Sequence, residues 1–341
     1  MSDSMTQEQG PVRAPEFPAN ATWLQGGPLR MNELRGRVVL IDFWDYTCVN
    51  CLRTLPYVRG WHERYADRGL TVVGVHAPEF SFAREEGNVR RAVERLGIAY
   101  PVVVDNDFAL WQAYANRFWP AKYLVDRDGY LRFYHHGEGA YDEVERAIQS
   151  LLRDADASVE LPEVMEPVRP EDRPGAVCYR VTPELYLGYQ RGAIGNTADI
   201  APDRPSRYRD VGKHAEGFFY LEGDWLLSGE YVSRPFGASG SSRLHVRYLA
   251  KEVNLVAHPP VTGGPARVEV LQDGRPLPAE DAGDAVRREG EAAILVVSEP
   301  RMYQVVRNRE IDHHELTLAT SSEGVALYAF TFTTCVVPEE G

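Results

Sequence analysis

Two cysteines in the first part of the chain are the residues best suited to chemistry. Cys48 and Cys51 lie in the stretch FWDYTCVNCLRTLPY, behind an aromatic pair and ahead of a proline. Cysteines with this spacing form a redox couple, supply half of a metal site, or pack as small apolar side chains. Each alternative makes a different demand on the rest of the sequence.

A metal site would need more ligands than this pair provides. Structural zinc takes four, usually with a second Cys or His pair at matched spacing. The other cysteines, Cys178 and Cys335, are isolated, and the adjacent His313 and His314 would point to opposite faces of a strand. We therefore expect no bound metal. Simple packing is also disfavoured, because the pair lies where a strand passes into a helix.

A redox dithiol explains the spacing. The run VVLIDFW predicts a buried strand, and Leu55, Val58 and Trp61 follow at helical spacing. The unpaired N–H groups and the dipole of a helix N-terminus stabilise a thiolate on the first cysteine. We expect Cys48 to attack a substrate disulfide and Cys51, one turn into the helix, to resolve the mixed disulfide. The redox-active disulfide is then the only cofactor expected.

Residues 38–155 alternate between strand-like and helix-like patterns. Strands are predicted at LTVVGVHA and YPVVVD, helices at NVRRAVERLG, DFALWQAYA and YDEVERAIQSLLRDA, and a hairpin at AKYLVDRDGYLRFYHHG. Strands that alternate with helices indicate an α/β unit with a parallel, helix-covered sheet.

The composition changes beyond residue 155. Residues 159–175 are rich in proline and charge, which predicts an extended linker. The chain after them shows short alternating or β-branched runs and no convincing helix, so an all-β sandwich of the jelly-roll kind is expected. The predicted organisation is a polar N-terminal segment 1–20, an α/β domain 21–155, a Pro-rich linker 156–175 and a sandwich domain 176–341.

The stretch LIDFWDYTCVNCLRTLPY, followed later by FWPAKYLVDRDG, resembles the thioredoxin superfamily and specifically its TlpA/DipZ-like thiol-disulfide proteins. The resemblance implies a thioredoxin-like oxidoreductase that acts on protein thiols and disulfides, with an unidentified electron donor or acceptor. It also implies that Asp42 is a buried acid able to accept the proton of Cys51. Pro120 falls where the family has its cis-proline, and Trp119 would offer backbone groups to an extended substrate.

The resemblance continues into the second part of the chain. From VTPELYLGYQRG onward the sequence is similar to the carbohydrate-binding-module-like sandwich of DipZ-like proteins, whose membrane-embedded portion is missing from the sequence. A second hypothesis follows, in which the sandwich binds a glycan or a polypeptide and the thioredoxin unit is auxiliary. A thiol peroxidase is less favoured, because peroxiredoxins place a threonine where this sequence has Asp45.

Smaller signals add candidate substrate contacts. Thr47 stands where ordinary thioredoxins have a tryptophan, and Trp44 either packs beside the couple or fills the core. His76 ends a predicted strand, at the rim where open α/β sheets bind ligands, although a hydrogen-bonded loop histidine is the safer interpretation. The sandwich aromatics that could stack on a sugar are Trp225, Tyr231, Tyr248 and Tyr303, with core placement favoured for each.

The overall charge and the termini bear on partners and location. A formal net charge of −13 disfavours nucleic acid, which would repel an acidic surface. No apolar run approaches the roughly 20 residues that span a bilayer, and no secretory signal is present, so we expect no integral membrane segment and a cytoplasmic location. Cys178 and Cys335 lie in the first and last strands of the sandwich. A bridge is an alternative there, but free, buried thiols are favoured.

Overall fold

The computed structural model describes residues 12–198, residues 200–333 and the backbone of residues 335–336. The chain divides into two compact units between Val168 and Arg169. The first unit is α/β and the second is built from strands, which confirms both fold classes. In the described part of the chain, no helix is long and apolar enough to cross a membrane.

A six-stranded sheet organises the first unit. Its strands are β1 (Thr22–Gln25), β2 (Val38–Trp44), β3 (Leu70–His76), β4 (Val102–Val104), β5 (Ala121–Val125) and β6 (Leu131–His136), in the order β1-β4-β3-β2-β5-β6. β2, β3 and β4 are parallel, whereas β1, β5 and β6 are antiparallel to their neighbours. The predicted hairpin is confirmed as β5 and β6. The short strand β1 was not predicted from the sequence.

Helices connect and cover these strands. They are α1 (Val49–Tyr65), α2 (Glu86–Arg95), α3 (Ala109–Ala113) and α4 (Tyr141–Ala155). Each predicted helix is present, although α3 has only five residues. α1 and α4 pack against each other through the stacked rings of Tyr57 and Tyr141, whose centroids are 3.7 Å apart.

Alternation along β2 divides its side chains between two faces of the sheet. Ile41 and Phe43 belong to the apolar cluster on one face, so Asp42 points to the other. Lys122 of β5 is paired in register with Asp42, and its ammonium lies 6.0 Å from the ring centre of Tyr141 in α4. The face that carries Asp42 is therefore the face covered by α1 and α4.

The N-terminal segment is more structured than its polar composition predicts. Phe17 is buried in the core of the first unit, and the N–H of Met31 donates to Glu16 at 2.6 Å. The N–H of Ala14 also donates to the carbonyl of Gly129 at 3.0 Å. A buried ring, a hydrogen bond to the Glu16 carboxylate and a backbone hydrogen bond fix these residues, and none of these contacts produces a sequence pattern. Residues 1–11 lie outside the described part.

Part of the predicted linker is bound to the first unit. The buried carboxylate of Glu145 in α4 accepts hydrogen bonds from Trp61 and Tyr65 of α1 and from the backbone N–H of Met165. The segment 156–168 is thereby held along these helices. Proline content predicts an extended linker, but it carries no information on what that segment contacts. The limits of independently folding domains stay a prediction.

The second unit is a network of strands. They are β7 (Val177–Cys178), β8 (Leu185–Tyr186), β9 (Ser206–Tyr208), β10 (Phe219–Leu227), β11 (Val232–Ser233), β12 (Ser242–His258), β13 (Ala266–Gln272), β14 (Arg275–Pro276), β15 (Val286–Glu289), β16 (Ala292–Val297), β17 (Arg301–Thr320), β18 (Ala326–Thr333) and β19 (Cys335–Val336). The main path of the eleven-stranded sheet is β15-β16-β13-β17-β12-β10-β11-β18-β8, with β14 beside β13 and β9 beside β10. β7 pairs separately with β19.

The long strand β12 makes this sheet enclose a core. One edge of β12 pairs with β17, while its other edge pairs first with β10 and then with β18. The change of partner closes a ring of strands, and side chains from its two sides meet in one apolar cluster. Trp225, Tyr248 and Tyr303 are fully buried in that cluster, as the favoured interpretation predicted. Tyr231 is half-buried beside Tyr328.

Cys178 differs from its prediction. The residue is exposed and disulfide-bonded, so the expectation of a free, buried thiol is wrong for it. The antiparallel pair β7–β19 places Cys335 directly opposite Cys178. The side chain of Cys335 lies outside the described residues. The first and last strands are thus neighbours, which is the arrangement that the alternative of a bridge requires.

We predict that a Cys48→Ser/Cys51→Ser variant has no titratable thiol when it is denatured without reduction. Opposite positions of an antiparallel pair have Cα atoms roughly 4.5–5.5 Å apart, within the range that a disulfide spans. Thiol titration with Ellman's reagent measures this, and the same sample after reduction serves as the control. Two reactive thiols before reduction would contradict the prediction.

Candidate active site at the Cys48–Cys51 disulfide

The two cysteines are joined at the start of α1. Their Cα atoms are 5.2 Å apart in the disulfide, and Cys48 is the N-cap of the helix. The backbone N–H of Cys51 points to the sulfur of Cys48 at 3.2 Å. Cys51 is 3% exposed, whereas Cys48 is only partly buried. Of the two sulfurs, that of Cys48 is therefore the one accessible to a partner.

The helix N-terminus favours negative charge on Cys48 after reduction. α1 is 17 residues long, and no acidic residue lies in its first turn. Unpaired N–H groups and the dipole at such a terminus stabilise a nearby anion by about 0.3–1 kcal/mol, and by up to about 2 kcal/mol where the site is partly buried. The same N–H of Cys51 that contacts the disulfide would donate to a Cys48 thiolate.

Asp45 holds the turn between β2 and the couple. Its carboxylate accepts hydrogen bonds from the N–H and the hydroxyl of Thr47, both at 2.8 Å, and from the N–H of Glu79. Burial raises the pKa of Asp45, and these hydrogen bonds oppose the rise. The side chain of Thr47 is buried by this arrangement. A direct substrate contact through that side chain, as expected from the sequence, is therefore not supported.

His76 is the last residue of β3, and its side chain is packed between aromatic rings. Its ring stacks on Tyr46 with centroids 5.5 Å apart, and Trp44 packs edge-on at 5.3 Å. The residue is 0% exposed, and neither ring nitrogen forms a hydrogen bond within the described part of the chain. Burial lowers the pKa of His76 to about 3, so the ring is neutral. Both side chains are enclosed, so the structure lends no support to the substrate contacts expected of His76 and Trp44, which stay predictions. The enclosure of Trp44 matches the alternative in which it fills the core.

Asp42 and Lys122 form a buried pair of opposite charges on neighbouring strands. Burial raises the pKa of Asp42 to about 6, and the charge of Lys122 opposes this rise. Burial lowers the pKa of Lys122 to about 8, against the charges of Asp42 and Glu138. Lys122 donates to the carbonyl of Gly137 at 3.1 Å, while one oxygen of Asp42 has no hydrogen bond among the described residues. Asp42 can therefore exchange a proton close to neutral pH.

The Trp119–Pro120 peptide bond is cis, as the resemblance implied. The end of β2 is paired with the start of β5. Pro120, which comes just before β5, therefore lies at the end of the sheet where the chain leaves β2 and turns toward Cys48. The indole of Trp119 donates to the carbonyl of Ala77 at 2.9 Å. That bond ties this loop to the residue that follows β3.

Sequence reasoning missed three residues of this region. Asp45 and Lys122 were overlooked as partners of Thr47 and Asp42, because side-chain pairing across a turn or between strands depends on register. The third is Phe118, which is 51% exposed and has its carbonyl held by the amide of buried Asn116 at 3.1 Å. Its place beside Trp119 in FWP was the available signal.

Comparisons with known proteins cover both units. Residues 12–134 match the AhpC/TSA family, and residues 182–333 match the family described as thioredoxin-like C-terminal domain. Protein DipZ of Mycobacterium bovis is 33% identical over 340 residues, which is 97% of this chain. Thiol-disulfide oxidoreductase YkuV of Bacillus subtilis is 30% identical over 142 residues, which is 42% of this chain and 95% of YkuV. ResA of Halalkalibacterium halodurans, also a thiol-disulfide oxidoreductase, is 28% identical over 132 residues, 39% of this chain and 72% of ResA.

These relatives differ in how much of them the chain represents. The chain spans 44% of DipZ but nearly all of YkuV. The match to YkuV covers less than half of this chain, whereas the match to DipZ covers 97% of it and therefore extends through both units.

Proposed function

The chain belongs to the thioredoxin-like thiol-disulfide oxidoreductases, and we propose that it exchanges disulfides with protein substrates through Cys48 and Cys51. The observation that carries this proposal is the disulfide at the start of α1, with its first sulfur partly exposed and its second buried. In a couple arranged in this way, the exposed sulfur can attack the substrate, and the buried sulfur can then resolve the mixed disulfide.

In the first step the reduced protein attacks a substrate disulfide. The Cys48 thiolate bonds to one substrate sulfur, and the other substrate sulfur leaves as a thiolate. The product is a mixed disulfide between Cys48 and the substrate. The N–H of Cys51 and the start of α1 stabilise the attacking anion in the reduced protein.

In the second step Cys51 resolves the mixed disulfide. Its thiol must lose a proton before its sulfur attacks that of Cys48 and expels the substrate thiolate. We assign the proton to the Asp42 carboxylate, which lies on the face covered by α1 and has a pKa raised to about 6. The protein ends as the Cys48–Cys51 disulfide with the proton of Cys51 on Asp42, and the substrate, whose disulfide is broken, has gained two electrons as two thiolates. These thiolates become thiols by taking up two protons, one that Asp42 releases and one from solvent.

The loop before β5 is the proposed docking place for the substrate chain. The backbone groups of Trp119, next to the cis-proline Pro120, would pair with an extended segment, as the family resemblance implies. Phe118 adds an exposed ring next to them, which suits a polypeptide better than a small thiol. Because Trp225, Tyr248 and Tyr303 are buried, the hypothesis of a sugar-stacking sandwich loses its main support.

The compartment is part of this proposal. A cytoplasmic location was the expectation from the sequence, but Cys178 is disulfide-bonded and exposed. Structural disulfides persist mainly in oxidising compartments. We therefore favour an oxidising compartment, where the couple would meet protein disulfides.

The proposal is tested by replacing each sulfur separately. Cys51→Ser should keep the first attack and then stall, so that covalent complexes with a protein substrate such as insulin accumulate on non-reducing gels and disappear with dithiothreitol. Cys48→Ser should form none, because Cys51 is covered. Complexes that form in Cys48→Ser but not in Cys51→Ser would reverse the roles. No exchange by the wild-type protein would refute the function.

A second prediction concerns the proton transfer. Reaction of the reduced protein with Ellman's reagent releases one thionitrobenzoate on attack and a second on resolution, and stopped-flow absorbance separates the two. The second rate should rise across about pH 6 in the wild type, where the Asp42 carboxyl ionises, and this rise should be absent in Asp42→Asn.

Lys122→Met serves as the matched variant. Removing the charge that holds the pKa of Asp42 down should move the midpoint of the second phase to higher pH, without abolishing the phase. An Asp42→Asn variant with an unchanged second-phase profile would assign Asp42 a structural role instead.

A further inference from the structure

Three side chains from distant parts of the sequence meet on the outer face of the second unit. In the pairing of β12 with β17, His245 lies opposite Thr317 and Arg247 opposite Glu315. Neighbouring residues such as Val246 point into the core, so His245 and Glu315 face outward. The segment that precedes β10 brings His214 over them, and His245 is consequently buried although it faces away from the core.

The geometry of these residues is that of a ligand set. Their ligand atoms all lie within 4.8 Å of one another. Nδ1 of His214 is 3.0 Å from the Glu315 carboxylate, and the rings of His214 and His245 stack at 4.9 Å with an interplanar angle of 20°. Two imidazoles and a carboxylate on one centre are a common protein environment for zinc.

One ring nitrogen points into this cluster with no partner. Nε2 of His245 forms no hydrogen bond to any described residue, although His245 is only 7% exposed. The nearest acidic oxygen, on Glu222, is 3.6 Å away. An unpaired buried polar atom costs free energy that a ligand can recover.

The opposite nitrogens of both rings are already fixed. Nε2 of His214 lies 2.8 Å from a carboxylate oxygen of Asp210, and Nδ1 of His245 lies 3.0 Å from the hydroxyl of Thr317. Metal-bound histidines commonly donate their second N–H to a carboxylate or another oxygen, which sets the tautomer and orients the ring. With each N–H donated outward, Nδ1 of His214 and Nε2 of His245 are left to bind a cation.

We propose that His214, His245 and Glu315 form a zinc site on the second unit, with Glu222 or a water as fourth ligand. Atoms bound to one tetrahedral zinc are about 3.3 Å apart, since Zn–N and Zn–O bonds are about 2.0–2.1 Å. The present separations of up to 4.8 Å therefore need to shorten by about 1.5 Å at most, which rotation of the half-buried Glu315 side chain and movement of the His214 segment can supply. The acids Asp210, Glu222 and Glu315 compensate the charge of the ion.

The competing account is an ion-pair cluster in which protonated histidines hold the segment by charge alone. That account leaves Nε2 of His245 without a hydrogen bond and sets two stacked imidazolium rings against each other. A zinc ion removes both problems. It would also tie residues 209–218 to β12 and β17, since His214 belongs to the segment and the other ligands belong to the strands.

The test uses the full chain with Cys48→Ser/Cys51→Ser as background, so that the couple cannot bind the ion. Metal-free protein is dialysed against Zn²⁺, and the bound metal is measured by elemental analysis. We expect one ion per chain, and His245→Gln should weaken binding by about 100-fold, as should Glu315→Gln. His313→Gln is the matched control, because His313 lies on the same strand as Glu315 but outside the cluster. This variant should bind Zn²⁺ as the background protein does.

Two further readouts keep the proposal testable if one variant is unstable. Zn²⁺ should slow tryptic cleavage after exposed Lys213 in the background protein and not in Glu315→Gln. Co²⁺ should give visible bands of a tetrahedral N/O site without thiolate charge transfer. No stoichiometric Zn²⁺ binding by the background protein, or equal affinity in His245→Gln and His313→Gln, would overturn the proposal.

Discussion

The junction between β2 and α1 is the constraint on which the first unit depends. β2 is buried along its whole length, so the chain must leave the sheet after Trp44 and turn through residues 45–48 before α1 begins. Asp45 fixes that turn, because its carboxylate accepts hydrogen bonds from Thr47 in the same loop and from the backbone N–H of Glu79, which follows β3. Cys48 is thereby placed at the helix N-cap and Cys51 inside the first turn. One sulfur is left accessible and the other covered, which is the asymmetry that disulfide exchange requires.

The buried polar groups around this junction fall into two kinds. Asp45 is fully engaged, with three hydrogen bonds that compensate its burial. Asp42 has an oxygen without a hydrogen bond and a pKa raised to about 6, next to Lys122. The hydrogen bonds of Asp45 suit a carboxylate that supports the structure of the turn. The unpaired oxygen and raised pKa of Asp42 suit a carboxylate that takes up a proton. The zinc proposal for the second unit rests on the same reasoning, applied to the unpartnered nitrogen of His245.

The sequence predicted what depends on local pattern. The strand before Cys48, the helix after it, the β5–β6 hairpin and the all-β second unit follow from apolar periodicity and turn residues. What it could not predict depends on register and on long-range contact. Lys122 beside Asp42 requires the β2–β5 pairing, Cys178 opposite Cys335 requires the terminal strands to meet, and the aromatic enclosure of His76 requires the ends of two strands. His214, His245 and Glu315 are too far apart in sequence to form a motif.

The central claim is that burial and the helix N-terminus give the two sulfurs different roles. Limited alkylation of the reduced protein near pH 7 measures this difference directly, with the modified cysteine identified by peptide mass spectrometry. The rate of modification follows thiolate fraction and access. We predict that Cys48 is labelled first, and that Cys51 is labelled only after much longer exposure or on unfolding. Equal labelling of both sulfurs, or labelling of Cys51 before Cys48, would contradict the account.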